Sequence, residues 1–257
     1  MTATRTVRIG RTQVDALTFS ESLEVMAQLV QTPGVSQHAV VNAGKVVAAE
    51  DDATLVKALD ECDLVNADGM SVVWAARLLG TPLPERVTGI DLMHSLFAVA
   101  AQRGWPVYLL GARQHVVDTV VAKLAVLHPD LVVAGARNGY WGPDDEEAVV
   151  TAVRNSGARI LFVAMPSPKK ELWVARHRSD LGVGLVMGVG GSFDVLAGVT
   201  RRAPGWMQNA GLEWFYRLVQ EPRRMWRRYL VGNSRFVALV LRQRLTERPA
   251  HTRKVGA

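Results

Sequence analysis

Val107-Tyr108-Leu109-Leu110-Gly111-Ala112 is a run of large apolar residues that ends at a glycine, and a helical pattern follows it over residues 116–127. A strand that is apolar at every position, not at every second one, is covered on both faces, which is the habit of parallel sheets packed between helices. The same unit recurs on either side. Upstream, Ala39-Val40-Val41-Asn42 stops at a polar side chain before Gly44, and Asp63-Leu64-Val65 leads through Asn66-Ala67-Asp68-Gly69 into a helix over residues 70–79. Downstream, Leu131-Val132-Val133 precedes Gly135, a helix over residues 145–155 leads to Ile160-Leu161-Phe162-Val163, and Leu185-Val186-Met187 enters Gly188-Val189-Gly190-Gly191. Strands alternating with helices predict an α/β fold, a largely parallel, doubly wound (Rossmann-like) sheet over residues 1–200. Short β-rich pieces open the chain at Val7-Arg8-Ile9 and Val14-Asp15-Ala16-Leu17, Ser20 reads as the cap of the first helix, and residues 46–59 read as a single helix.

From Arg201 onward the composition turns to arginine and tryptophan, with Ala210-Gly211 and Glu221-Pro222 as helix breaks, so residues 201–257 read as a basic helical appendage. Residues 217–257 hold eleven Lys and Arg against two Asp and Glu, whereas the whole chain nets only +6, so the body of the protein is acidic and the positive charge is local. Arg217, Arg224, Arg227 and Arg228 are spaced to gather along one helical face, interleaved with Trp214, Phe215, Trp226 and Tyr229. Such a face meets phosphate while burying apolar surface. The charge-free run from Phe236 to Leu241 is six residues, far short of the roughly 18–20 that a membrane span needs. With no apolar leader behind Met1, the expected location is cytoplasmic.

Asp68 follows a buried strand directly, at the edge where open α/β sheets bind ligands. It reads either as a helix N-cap or as an acid/base group, and spacing alone slightly favours the cap. Gly188-Val189-Gly190-Gly191-Ser192 offers backbone amides to a diphosphate, but Phe193 stands where a dinucleotide fingerprint has its third glycine. Gly111 reads first as a tight turn and second as a nucleotide contact. The six histidines are scattered with no pair at i, i+4, there is no Asp-x-Asp, and the single cysteine, Cys62, has no metal-cluster partner, so no metal and no cofactor is expected.

Taken in order, several fragments resemble the WecG/TagA/CpsF glycosyltransferases. They are Asn66-Ala67-Asp68-Gly69-Met70, Glu85-Arg86-Val87-Thr88-Gly89-Ile90-Asp91-Leu92, Leu110-Gly111-Ala112, Asn138-Gly139-Tyr140, Gly188 to Asp194 with Gly198, Arg202-Ala203-Pro204, and Gly211-Leu212-Glu213-Trp214 continuing to Arg217, Glu221-Pro222, Arg224 and Arg227-Arg228. The resemblance implies an inverting, metal-independent transfer of N-acetylmannosamine, glucose or a related sugar from a UDP-sugar donor to a polyprenyl-diphosphate-linked acceptor. It implies Asp68 as the catalytic base and Asn42 as a polar active-site residue. Asn66, Gly69, Thr88, Asp91, Gly111, Lys170, Glu171, Gly190 and Asp194 are the substrate-binding residues it suggests, with Arg217, Arg224, Arg227 and Arg228 on the diphosphate. Two positions depart from the family pattern: Val40 stands where a threonine is usual, and Lys170 replaces a glutamine expected to touch ligand, which favours a donor with a carboxylate or without the N-acetyl group.

The tail adds an expectation of peripheral attachment to an anionic membrane surface on the inner face, since each basic side chain there contributes roughly 1 kcal/mol. Two rival functions stand beside this one. A nucleic-acid-binding module would use the basic arm, against which the acidic body argues, so no nucleic acid is expected. A nicotinamide-dependent oxidoreductase would use the same sheet, against which the broken glycine fingerprint argues. Sequence leaves open whether the chain forms a homo-oligomer.

Overall fold

The computed structural model describes residues 5–246, apart from the side chains of Asn209, Arg224, Met225, Arg227 and Arg228. An antiparallel hairpin, β1 (Thr6–Ile9) and β2 (Thr12–Asp15), precedes α1 (Phe19–Leu29). The cap of α1 is Thr18, not Ser20: Thr18 Oγ1 accepts from the Glu21 amide while the Glu21 carboxylate accepts from the Thr18 amide, a reciprocal box that Ser20, inside the first turn, has no geometry to make. Then follow β3 (Ser36–Val41), α2 (Ala43–Asp51), α3 (Ala53–Asp60), β4 (Leu64–Ala67), α4 (Met70–Leu78), α5 (Gly89–Arg103), β5 (Val107–Gly111) and α6 (Gln114–Leu127). The single helix expected over residues 46–59 is two helices, because Asp52 turns its carboxylate onto the Thr54 and Leu55 amides and starts α3 afresh.

The second half runs β6 (Val133–Arg137), α7 (Glu146–Asn155), β7 (Ile160–Ala164), α8 (Lys169–His177), β8 (Leu185–Gly188) and α9 (Ser192–Ala197), then α10 (Gly205–Asn209), α11 (Glu213–Gln220) and α12 (Pro222–Thr246). Strand β6 begins two residues later than the apolar run at Leu131 suggests and takes Gly135 into its middle. The Tyr108 ring lies across that position, where a Cβ would come within 2.4 Å of it.

Among the described residues the central sheet has six strands in the order β4-β3-β8-β7-β5-β6, all parallel, so every carboxyl end lies on one edge. Both faces are covered. Ile160, Phe162, Leu185 and Met187 pack under α1, α5, α6 and α9, while Leu161, Val163 and Val186 face α7 and α8. This two-sided burial is why the strands read as unbroken apolar runs. A further cluster joins Ala39, Val41, Val65 and Ala67 to the hairpin, α2, α4 and, from the far end of the chain, Phe236 and Val240 of α12. Gln243 continues the contact, its Oε1 accepting from the Gly10 amide.

Strand β5 ends in two consecutive residues at positive φ, Gly111 at 130° and Ala112 at 54°. A Cβ on Gly111 would collide with the Ala164 carbonyl, so this corner is filled by the backbone of the neighbouring parallel strand β7. Gly111→Ala is expected to cost at least about 3 kcal/mol, from strain at positive φ together with displacement of a main chain that cannot yield. A shift of that size in the denaturant midpoint at constant slope would verify it; an unchanged midpoint would refute it.

Candidate active site

Pairing of Val41 with Ala67 brings the next residues, Asn42 and Asp68, side by side at the carboxyl edge. The Asp68 amide donates to the Val41 carbonyl at 2.9 Å, which holds the two strand ends together. Asn42 caps α2, its Oδ1 accepting from the Lys45 amide at 3.1 Å. The capping reading of Asp68 at its own helix fails: Gly69 holds the N-cap position of α4 with no side-chain bond. Instead Asp68 Oδ1 accepts from the Gly89 amide, 3.1 Å away, at the start of α5. Among the described residues its second oxygen has no hydrogen-bond partner, and Asp68 lines the cleft.

The start of α5 is itself locked. Thr88 caps it, donating from Oγ1 to Asp91 Oδ2 at 2.5 Å, and Arg202 grips the Asp91 carboxylate through both terminal nitrogens, at 2.5 and 2.7 Å. Burial works to raise the Asp91 pKa, but the hydrogen bonds from Arg202 and Thr88 and the Arg202 charge prevail and hold it below the ordinary carboxylate value. The hydrogen bonds to Asp91 in turn hold the Arg202 guanidinium above its usual value, with the charges of Asp91, Glu213 and Asp68 adding to them against the opposing effect of burial. Arg202 thus ties the segment before α10 to the helix that positions Asp68.

Asp68 and Asn42 sit in a cleft of about 410 Å³ between the sheet edge, α4, α11 and α12. Its polar part adds Ser71, Arg86, Glu213 and Arg217, with Arg86 Nη1 3.2 Å from the Glu213 carboxylate and Arg217 3.8 Å from it. Its apolar part is walled by Trp74 and Leu78 of α4 and by Trp214, Tyr229, Val237 and Leu241 across from them.

Of the residues suggested by the sequence, the structure brings Asp68, Asn42, Gly69 and Arg217 together in this cleft. Thr88 and Asp91 stand behind Asp68 at the α5 terminus, held by each other and by Arg202. Gly190 lies at positive φ at the end of β8, beside β3, with nothing within 4 Å of where a Cβ would be, so its backbone is open to approach. Asp194 is half-buried in the first turn of α9. Gly111 is packed against Ala164 and away from open space. Asn66 is fully buried, its side chain bonded to His38 and Ser22. The side chains of Arg224, Arg227 and Arg228 lie outside the described residues; their backbone belongs to α12.

Lys170 and Glu171 lie beneath the sheet edge. Glu171 Oε1 is 2.7 Å from both Lys45 Nζ and Lys170 Nζ, and Lys45 also donates to the Val40 carbonyl at 2.6 Å. Burial works to raise the Glu171 pKa, but the two lysine charges prevail and bring it down to about 2. Nearby, burial holds the His38 pKa down at about 4, so its imidazole is neutral at pH 7. Cys62 is equally unreactive, its thiol pushed up to about 12 by burial.

Sequence reasoning passed over Arg86, Glu213 and Arg202 as site residues and over Lys45 altogether. The first three sit inside the very fragments that carry the resemblance, which was the available signal. Lys45 had none, since a buried lysine and a solvated one are the same letter.

A parallel α/β sheet with a polar-to-apolar cleft at its carboxyl edge defines a small-molecule enzyme of the doubly wound class. The sequence pattern of the Glycosyl transferase WecG/TagA/CpsF family matches residues 7–250, nearly the whole chain, and the protein belongs to that family. It is a glycosyltransferase, and its family implies a nucleotide-sugar donor and a lipid-linked acceptor. No helix among the described residues is long and apolar enough to cross a membrane.

Proposed function

We propose that the protein transfers N-acetylmannosamine, glucose or a related sugar from a UDP-sugar to a polyprenyl-diphosphate-linked glycan, with inversion and without a metal ion, in cell-wall or exopolysaccharide assembly. The observation that carries this reading is the Asp68 carboxylate, which lines the cleft beside Asn42 and is fixed through one oxygen by the Gly89 amide. In the reaction an acceptor hydroxyl attacks the anomeric carbon from the face opposite the nucleotide. The new C–O bond forms as the bond to the β-phosphate oxygen breaks, the electron pair leaves with UDP, and the hydroxyl proton passes to Asp68. Asn42 orients the reacting groups beside it. The donor diphosphate lies along the Gly188 to Gly191 turn, where the open backbone at Gly190 admits it.

Arginines of the arm, Arg217, Arg224, Arg227 and Arg228, neutralise the departing diphosphate, the part a divalent cation takes in metal-dependent enzymes. On this reading residues 201–257 act as a lid over the catalytic body and dock it peripherally on the inner face of the membrane. The test is a screen of UDP-sugars with a soluble lipid-diphosphate acceptor, in the presence of a chelator, reading UDP release. One sugar is expected to turn over regardless of the chelator, with UDP alone raising the melting temperature. Arg217→Ala is expected to lower kcat by about 10²-fold, the effect of losing one charge-stabilising donor in the transition state. Indifference to every uridine nucleotide would remove the proposal.

A further inference from the structure

The apolar half of the cleft has no part in the chemistry just described. Along α4, Met70, Trp74 and Leu78 recur every fourth residue on one face, beginning next to Asp68, and Leu78 lies about 12 Å further along the axis at 1.5 Å per residue. The opposite wall comes from an apolar stripe of α12. Phe236, Val237, Val240 and Leu241 all line the cleft, Phe236 and Val240 being buried in the core while Val237 and Leu241 are 55% and 49% exposed. Trp74, at 50%, is similarly uncovered. Large apolar side chains left half-bare on both sides of one groove mark a binding surface.

We infer that this groove holds the first isoprene units of the acceptor's lipid, so that the protein recognises the prenyl chain itself and not only the sugar and diphosphate. The inference rests on the lipid-linked acceptor of the proposed function, and the polarity of the cleft carries it. An amphipathic ligand with its hydroxyl at Asp68 meets Arg86, itself paired with Glu213, where a diphosphate would be, and beyond it the walls of Trp74, Leu78, Val237 and Leu241, interrupted on α12 by Asn233. A soluble sugar acceptor would leave those walls in water. Asp68 and these apolar walls line one and the same cleft, as a chain attached to the reacting head group requires.

The test measures binding without donor or turnover. Tryptophan fluorescence, to which Trp74 and Trp214 contribute, is followed as farnesyl diphosphate, below its micelle concentration, or inorganic diphosphate is added. Farnesyl diphosphate is expected to bind at least about tenfold more tightly, since even one methylene in a shaped apolar pocket is worth that much. Leu241→Asp and, on the facing wall, Leu78→Asp should erase the preference while leaving UDP binding and the melting temperature unchanged, because both side chains are already half-exposed. Equal affinities for the two diphosphates, or a preference that survives in both variants, overturns the inference. So does binding seen only with anionic phosphatidylglycerol vesicles and not with the monomeric probe, which would make the groove a bilayer-docking face. Failure of the sugar screen leaves this measurement readable; turnover of a short-alkyl acceptor with no prenyl preference sinks the groove and spares the reaction.

Discussion

Asp68→Asn is expected to fold like the parent and to lower transfer by about 10²–10⁴-fold, the usual contribution of a positioned general base. The fold should survive because the recorded side-chain bond of Asp68 is one it accepts, from the Gly89 amide, and the asparagine carbonyl oxygen accepts the same bond at the same length. What is lost is the ability to take a proton. The loss should fall on kcat with little change in the donor's KM, since the diphosphate site proposed for the nucleotide lies at the neighbouring strand ends. Asn42→Ala is a poorer probe of the same chemistry, because it also removes the cap of α2, worth about 1 kcal/mol, and so mixes stability with catalysis. UDP release assays alongside a melting curve separate the two. Full turnover by Asp68→Asn would mean that the proton leaves by another route and that Asp68 only braces α5.

The largest expected effect on stability comes from Glu171→Gln. The substitution keeps the shape of the side chain but leaves the buried ammonium groups of Lys45 and Lys170 facing a neutral amide, and breaking a buried ion pair in this way costs about 3–5 kcal/mol. In a protein of this size that is a fall in melting temperature of roughly 10 °C. The pH dependence gives a second readout. The Glu171 pKa is lowered from 4.5 to about 2 in the folded protein, so its stabilisation is fully present above pH 4.5 and is lost as pH falls from 4.5 towards 2. The gap between parent and Glu171→Gln in urea unfolding should therefore be widest at neutral pH and close through that window. A gap of the same size at pH 7 and pH 3 would show that the triad is not held by charge. Because Lys45 lies in the first turn of the helix capped by Asn42, loss of the triad should also loosen Asn42 and depress activity in the surviving folded protein.

The strands were legible because both of their faces are buried, so β5 and β7 announce themselves as uninterrupted apolar runs bounded by glycine or proline. The carboxyl-edge location of Asp68 and Asn42 followed from the same grammar. What Asp68 does there did not: a carboxylate after a strand looks like a cap for the next helix, and only the three-dimensional arrangement shows it serving α5 instead of α4. The grip of Arg202 on Asp91 spans 111 residues, and that of Lys45 on Glu171 spans 126, distances over which no local spacing carries information. Lys170 shows the same limit. Its fragment suggests a role at the donor sugar, and its pairing with Glu171 and the placing of its stem beneath Gly188, which the structure adds to that expectation, had no signal in the sequence. The break between α2 and α3 was hidden because Asp52 is helix-tolerant by composition and acts as a stop only through its own side-chain bonds.

Helix α12 lines the cleft from Tyr229 to Leu241, and over the same turns and the next it is rooted in the body through Phe236, Val240 and Gln243. Mechanically it is a cantilever, clamped at one end and loaded at the other. The arginine-bearing portion precedes Phe236 on the same helix and is tied to the body through that buried root. Deleting the chain from Arg217 onward would therefore pull the clamp out of the hairpin and α2, and the resulting damage would say little about catalysis. A cross-link or a proline placed between Tyr229 and Phe236 would instead change the stiffness of the beam while leaving its root in place, and a turnover that responds to that stiffness would show that the arm bends in the proposed reaction, whereas an unchanged turnover would show that it does not.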